Sequence, residues 1–388
     1  MKGPLEGLLV LDMTRVLAGP YCTMILSDLG ARIIKIEPPG GDDSREFGPF
    51  IKNTSAYFAS LNRGKESIEL DLKNAQDKII FEKLLNHTDI LIENFRPGVM
   101  KKLGYDFKKL SKNFPELIFA SCSGFGQTGP WAKKPSYDMI VQGMGGLMSL
   151  TGHADQEPVR VGTSIGDITA GLFTTIGILS ALMERSKNHR GQMVDVSMLD
   201  CQIAILENAI ARFFATGESP PPSGARHPAI APFECYRCSD GYLVMACGND
   251  VMFKKMCQAI KLNKLHKDER FASNIKRIEN VISLKNELEK IFIKNNVKHW
   301  IKILEKSNIP VGPLNNVREA VNSVQIKSRN MIVNLKDKDL KNFYVAGNPI
   351  KLSAHKDPKY RNKSPKLSEH KDKIIQEFKI FNNNKKIS

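Results

Sequence analysis

The 388-residue sequence is short of several things, and each shortage narrows what the protein can be. No uninterrupted apolar run approaches the roughly 20 residues that a membrane span needs. The most apolar stretch, from Ile165 to Met183, is interrupted by Gly171, Thr174, Thr175 and Gly177. The opening MKGPLEGLLVLDM runs straight into a strand-like segment without a signal-peptide cleavage pattern, so a cytoplasmic protein is expected. The cysteines number seven, an odd and scattered set that argues against a disulfide framework. Cys235 and Cys238 do form a C-x-x-C pair. With no second pair at zinc-ribbon spacing, and Tyr236 and Arg237 inside a strand-like context, neither metal binding nor redox chemistry is expected of it. Acidic residues are outnumbered 41 to 57 by Lys and Arg, for a net charge of +16. The lysines are densest after Lys254. They are mixed with Asp, Glu and Asn, and lack the aromatic interleaving of a single-strand binder or a recognition helix, so nucleic acid is not the expected partner. A small polyphosphate ligand needs only a few of those charges.

What is present fits a globular protein: 41% hydrophobic and 25% charged residues, with length for one large domain and a smaller one. The first third alternates strand-like and helix-like segments. LLVLDM, a helix over GPYCTMILSDLG and RIIKIE form a β-α-β unit; ESIELDL, a helix from Asn74 to about Asn86, a strand at Asp89 to Glu93, and LIFASCS follow. Such alternation predicts an α/β fold with a mostly parallel sheet and ligands at the carboxyl ends of its strands. QMVDVSM then reads as a strand, and LDCQIAILENAIARFFATG as one helix ending at Gly217. These patterns give a first large-domain segment over 1–217, a Pro-rich linker over 218–232 and a small α+β domain over 233–322. A second linker over 323–341 and a return segment over 342–388, with a helix near Lys371 to Phe381, complete a discontinuous large domain. IPVGPLNN, at 309–316, reads as a turn.

Two stretches bear on chemistry. GFGQTG, Gly124 to Gly129, satisfies G-x-G-x-x-G, but Pro130, Trp131 and a polar run follow where a dinucleotide site requires a helix. A glycine-rich loop that admits a ligand to the backbone is the remaining reading. The second stretch is VGTSIGDITAG, which opens a helix expected to be buried on most sides. Asp167 has two readings there. It can cap the helix, although Thr163 and Ser164 are available for that, or it can be an ionised, poorly hydrated nucleophile between Gly166 and Gly171, which leave room for close approach.

The blocks LLVLDMTRVLAGPYCTMILSDLGARIIKIE, SIELDLK, DILIENFRPG, GFGQTGP, SYDMIVQGMGGLMSLTG, VGTSIGDITAG, IPVGPLNN and GNPIKLS, in order along nearly the whole chain, resemble the family III CoA-transferases. The resemblance implies a Rossmann-like large domain built from both chain ends, a small domain, and a homodimer interlocked like two rings. It implies acyl-CoA and a carboxylic acid as substrates, no metal, and Asp167 as the nucleophile that forms mixed-anhydride and aspartyl-CoA intermediates. By position it implies CoA contacts at Leu17, Ala18, Leu70, Asp71, Leu72, Lys73, Asn94, Phe95, Arg96, Lys102, Tyr137 and Asp138. Gly124 and Gly126, or the glycines from Gly143 to Gly146, are candidates for backbone donors to an oxyanion. The run GARHPAIAP resembles the branch that uses succinyl-CoA and dicarboxylic acids, with Arg226 and His227 on the acid side. Leu17 stands where formyl-CoA transferases carry Gln, Pro38 where they carry Arg and Pro135 where they carry Lys, which disfavours formyl-CoA and oxalate. Two alternatives share the fold: an α-methylacyl-CoA racemase, whose catalytic His position holds Tyr137 here, and a CoA-binding protein without turnover.

Overall fold

The structure, a computed structural model, describes residues 3–380. They fall into two compact units, one drawn from 3–148, 160–218 and 324–380 and the other from 149–159 and 219–323.

In the first unit, β1 (Leu9–Asp12), β2 (Arg32–Glu37), β3 (Glu66–Glu69), β4 (Ile90–Glu93), β5 (Ile118–Ser123) and β6 (Met193–Ser197) form a six-stranded sheet in the order β3-β2-β1-β4-β5-β6. Every pairing is parallel. The order reverses between β1 and β4, so the connections leave in opposite directions there and a crevice opens at the carboxyl ends. The strands are apolar runs because both faces are covered. Alternation along β1 shows it: Leu9 and Leu11 enter one core with Ile80, Phe81 and Leu84 of α2 (Ala75–Leu85), while Val10 enters the other with Cys22 and Leu26 of α1 (Ala18–Asp28). Ile374, in a helix over Lys371–Glu377, joins the first core, so the end of the described chain lies on this sheet. The helix expected to reach Phe381 ends at Glu377, with Phe378 as its C-cap; Phe381 itself lies outside the described residues. The stretch 323–341 contains a helix, Val324–Ser328, and a strand, Ile332–Lys336, that pairs with Tyr344–Ala346 and Tyr360–Asn362.

Three further helices of this unit frame the site: α3 (Asp138–Met144), α4 (Ile165–Asn188) and α5 (Met198–Ile205). Among the described residues α4 is the one helix long and apolar enough to cross a membrane by length and composition. Its buried side accounts for it otherwise. Thr169, Ala170, Gly171, Thr174, Thr175, Ile178 and Ala181 face inward, with Ile178 and Ala181 in the core that α1 and the sheet share. The expectation that α4 is buried on most sides is not met, for Leu172, Phe173, Ile176 and Met183 are exposed on the chain. The inward residues are small because neighbours press close: a Cβ on Gly171 would lie 2.7 Å from the Ala18 carbonyl oxygen. The room at that glycine is taken by α1. The helix expected up to Gly217 is two, α5 and one over Asn208–Thr216, because Glu207 turns into a positive φ of 32°.

In the second unit β7 (Phe233–Arg237), β8 (Tyr242–Ala246) and β9 (Val311–Pro313) form an antiparallel sheet in the order β9-β8-β7. The expected turn at 309–316 is in part this edge strand, where Pro313 pairs opposite Leu243 and a missing N–H is tolerated. Helices over Asp250–Ala259, Val281–Phe292 and Val297–Lys306 cover it with Phe253, Leu288, Phe292 and Trp300. Cys235 and Cys238 are free thiols on and just after β7, both pushed above the ordinary thiol value by burial.

Candidate active site

Asp167 is the third residue of α4. Neither Ser164, at the N-cap, nor Thr163 caps the helix with its side chain; the Gly166 N–H instead donates to Asp138 Oδ1 of α3 at 2.8 Å. That cap from another helix leaves Asp167 unused structurally. Among the described residues no hydrogen bond or ion pair engages its carboxylate, which is half-buried. Burial first, and then the neighbouring charge of Asp138, push it up to about 7. Asp138 is itself held: its Oδ2 accepts from Gln142 Nε2 at 2.7 Å, and Gln142 Oε1 accepts from the Val161 N–H at 3.0 Å. Beneath these carboxyls an apolar cluster gathers Ala18, Cys122, Phe125, Val141, Ala170 and Met198. It joins the start of α1, the end of β5, the GFGQTG loop, α3, α4 and α5 in one place.

A cavity of about 540 Å³ opens at the carboxyl ends of β1, β2 and β4. Leu70, Asp71, Leu72, Lys73, Phe95 and Arg96 line it, with Lys73 and Arg96 exposed as cations at its surface. Its floor is a buried ion network. Lys35 pairs with Asp42 at 2.8 Å and donates to the Thr14 carbonyl at 2.6 Å; Lys65 pairs with Asp12 at 3.0 Å; Arg45 pairs with Glu37 at 2.7 Å. Burial opposes ionisation of Asp12, but Lys65, Lys35, Thr14 and Thr23 outweigh it and hold the carboxyl well below the usual range. The network clamps the loop after β1. Val16, at a φ of 65° that a β-branched residue rarely adopts, donates its N–H to Asp42 Oδ1 at 3.1 Å. Across the switch point Asn94 accepts from the Arg15 N–H at 2.9 Å and donates to the Arg15 carbonyl at 2.8 Å. Tyr57 lies within the field of both halves: burial first, then Asp167, Asp42 and Asp138, push its hydroxyl up to about 12.

The model of CoA-transferase family III matches residues 5–371. The chain belongs to CoA-transferase family III. It is 47% identical over 379 residues to an acetyl-CoA:oxalate CoA-transferase of Acetobacter aceti, covering 97% of this chain and 96% of that one. It is 36% identical over 388 residues to a succinate–glutarate CoA-transferase of Agrobacterium fabrum, covering 98% and 97%. A crystal structure of a CaiB/BaiF family protein from Brucella suis superposes with a TM-score of 0.87 at 38% identity, covering 97% of this chain and all of that one. The protein is therefore a CoA-transferase that takes CoA thioesters as substrates, and its mixed α/β fold with a parallel central sheet is that of its family.

Against that family background, the structure brings most of the sequence-derived residues into the first unit. Leu17 and Ala18 open α1 beside the strained Val16, and Asn94 spans the switch point. Lys102 is exposed near the end of a short helix, Val99–Leu103, whose Val99 and Leu103 line the cavity. Tyr137 is 75% exposed at the N-cap of α3, an unfavourable setting for the racemase's base. Gly124 and Gly126 follow β5, the latter at a φ of +81° that favours glycine. Arg226 and His227 belong to the second unit, where His227 stacks on Phe233 at 5.1 Å and Arg226 lines a cavity with Glu234, Arg237 and Lys285. Sequence reasoning missed Tyr57 and the ion network. Charges inside otherwise apolar strands, Lys35 and Glu37 in RIIKIE and Asp12 in LVLD, were the available signal for the network; SAYFASL offered none for Tyr57.

Proposed function

We propose that this CoA-transferase moves CoA from a short acyl-CoA, succinyl-CoA or acetyl-CoA, to a small dicarboxylic acid through covalent intermediates on Asp167. The observation that carries the reading is a half-buried carboxylate, without a partner among the described residues, at a helix start whose cap another side chain supplies. An Asp167 oxygen bonds to the thioester carbonyl carbon, the C–S bond breaks, and CoA thiolate leaves a mixed anhydride. The thiolate attacks the aspartyl carbonyl and expels the donor carboxylate, giving an aspartyl-CoA thioester. The acceptor carboxylate attacks that thioester, and the returning thiolate takes the acceptor's acyl group and restores Asp167.

The 540 Å³ cavity at the switch point is a natural seat for CoA, with Lys73 and Arg96 toward its phosphates and the clamped loop at Val16 and Leu17 directing the pantetheine end. Backbone N–H groups at Gly124 and Gly126 would meet the developing oxyanion. The names of the relatives support dicarboxylates as acceptors. The argument from Leu17 against oxalate is not sufficient to set it aside, because the relative at 47% identity is named for oxalate. The exposed Leu172, Phe173, Ile176 and Met183 support a second copy of the chain as partner, in keeping with an interlocked homodimer and linkers near 218–232 and 323–341.

The test is to incubate the protein with succinyl-CoA or acetyl-CoA and oxalate, glutarate, mesaconate or citramalate, and to follow new CoA esters by mass spectrometry. One acid converted to its CoA ester as donor acid appears one for one is expected. Loss of stereochemical purity in a 2-methylacyl-CoA, with no exchange from any donor, would refute the transfer reading.

A further inference from the structure

Glu93, Ser121 and Asp195 are register partners across β4, β5 and β6, so three polar side chains form a row on one face of the sheet. Glu93 and Ser121 are buried and Asp195 is exposed. Gln127, from the GFGQTG loop, reaches back over the row. Its backbone N–H donates to Asp195 Oδ2 at 3.1 Å, and its side-chain Nε2 donates to Ser121 Oγ at 2.6 Å. The Ser121 hydroxyl donates in turn to Glu93 Oε1, and the Phe95 N–H donates to Glu93 Oε2 at 2.7 Å. Burial pushes the Glu93 carboxyl up to about 7; in its ionised form it can only accept, so Ser121 gives it the one hydroxyl proton, and the Ser121 oxygen accepts from the Gln127 amide nitrogen. The chain therefore runs from the glycine-rich loop after β5 to the loop after β4, which holds Asn94, Phe95 and Arg96.

We propose that Gln127 is a positioning residue that, through Ser121 and Glu93, ties the glycine-rich loop at the acyl end of the site to the 94–96 loop at its CoA end. It touches neither Asp167 nor the Asn94 bridge; it sets how the two loops sit on the strand ends. An unlinked loop would leave donors misplaced by a fraction of an ångström, which catalysis feels and binding largely does not. Loss of a linked chain is also non-additive, since one break releases the whole.

The kinetic arm rests on the transfer reading above, so a second arm is independent of activity. Gln127→Met keeps the volume and removes the amide donor. In exchange assays kcat should fall roughly 10- to 100-fold while KM for acyl-CoA stays within about twofold and the melting temperature is unchanged. Adding Gln127→Met to Ser121→Ala should lower kcat less than about twofold further. In hydrogen exchange on the full chain, Gln127→Met should speed exchange in peptides covering 124–129 and in those covering 94–96 together. A kcat within twofold of the parent, multiplicative effects in the double variant, or faster exchange in 124–129 alone would overturn the proposal. A parent without CoA exchange would refute the transfer reading and leave the hydrogen-exchange result to decide this one.

Discussion

Asp12, fully buried, and Asp167, half-buried, lie in one unit of one chain and are treated in opposite ways. Asp12 is wrapped by Lys65, Lys35, Thr14 and Thr23, and its carboxyl is held far below the ordinary range. Asp167 is paired with no cation among the described residues; burial and Asp138 push it up to about 7. The difference separates structure from chemistry. A carboxylate whose lone pairs are all engaged holds a loop in place, whereas one left without partners has the lone pairs that the proposed attack on a carbonyl carbon requires. The first adds stability and the second costs it.

The largest way to break the contrast is to remove the reactive member. Asp167→Ala should still fold and bind CoA yet lose exchange by about three orders of magnitude or more, read as kcat/KM for whichever donor the parent uses. Retained exchange would strip Asp167 of its role. Next in size, Asp12→Asn leaves Lys65 and Lys35 buried beside a neutral amide, and should lower unfolding stability by about 3–5 kcal/mol in urea titrations. A change below about 1 kcal/mol would show that the network is not the clamp described.

The same contrast has a sign in pH. The Asp167 carboxyl rises in the folded state above its ordinary 3.8, so the folded chain binds the extra proton and stability falls as pH rises from about 4 through about 7. Asp167→Asn should therefore stabilise the protein above pH 7, by roughly 1–2 kcal/mol, and flatten that slope, while Asp12, shifted the other way, contributes stability that is lost only as pH falls below about 4. No stabilisation at pH 8 would contradict the assigned cost. Smallest is a shift of the activity profile. Exchange should rise with pH as Asp167 ionises near 7, and Asp138→Asn, which removes a like charge while keeping an acceptor for the Gly166 N–H, should move that rise to lower pH. An unchanged midpoint would mean that burial alone sets it.

How much of this was readable beforehand follows from where the partners lie in sequence. The β-α-β opening was legible because its periodicity is local, and Asp167 stands out as a candidate because VGTSIGDITAG sits within a family pattern that spans the chain. The partners of the ion network are up to 53 residues apart, as Lys65 is from Asp12, and no local pattern announces such pairs. Gly166 and Gly171 read as room for a ligand, yet Asp138 and Val141 fill one space and Ala18 with Tyr21 the other, because close helix packing and close ligand approach leave the same mark on a sequence. The outward Leu172, Phe173 and Ile176 of α4 made that helix look buried on most sides, since apolar composition does not say which surface covers it.

The most direct test is chemical capture of the covalent state. The protein is incubated with its acyl-CoA donor and hydroxylamine, which converts an aspartyl anhydride or thioester to a hydroxamate, and is then digested and read by peptide mass spectrometry. A hydroxamate at Asp167, absent without donor and absent at Asp138 and Asp195, is the predicted result; exchange that proceeds at full rate with no hydroxamate at Asp167, or with one at another carboxyl, would contradict the account.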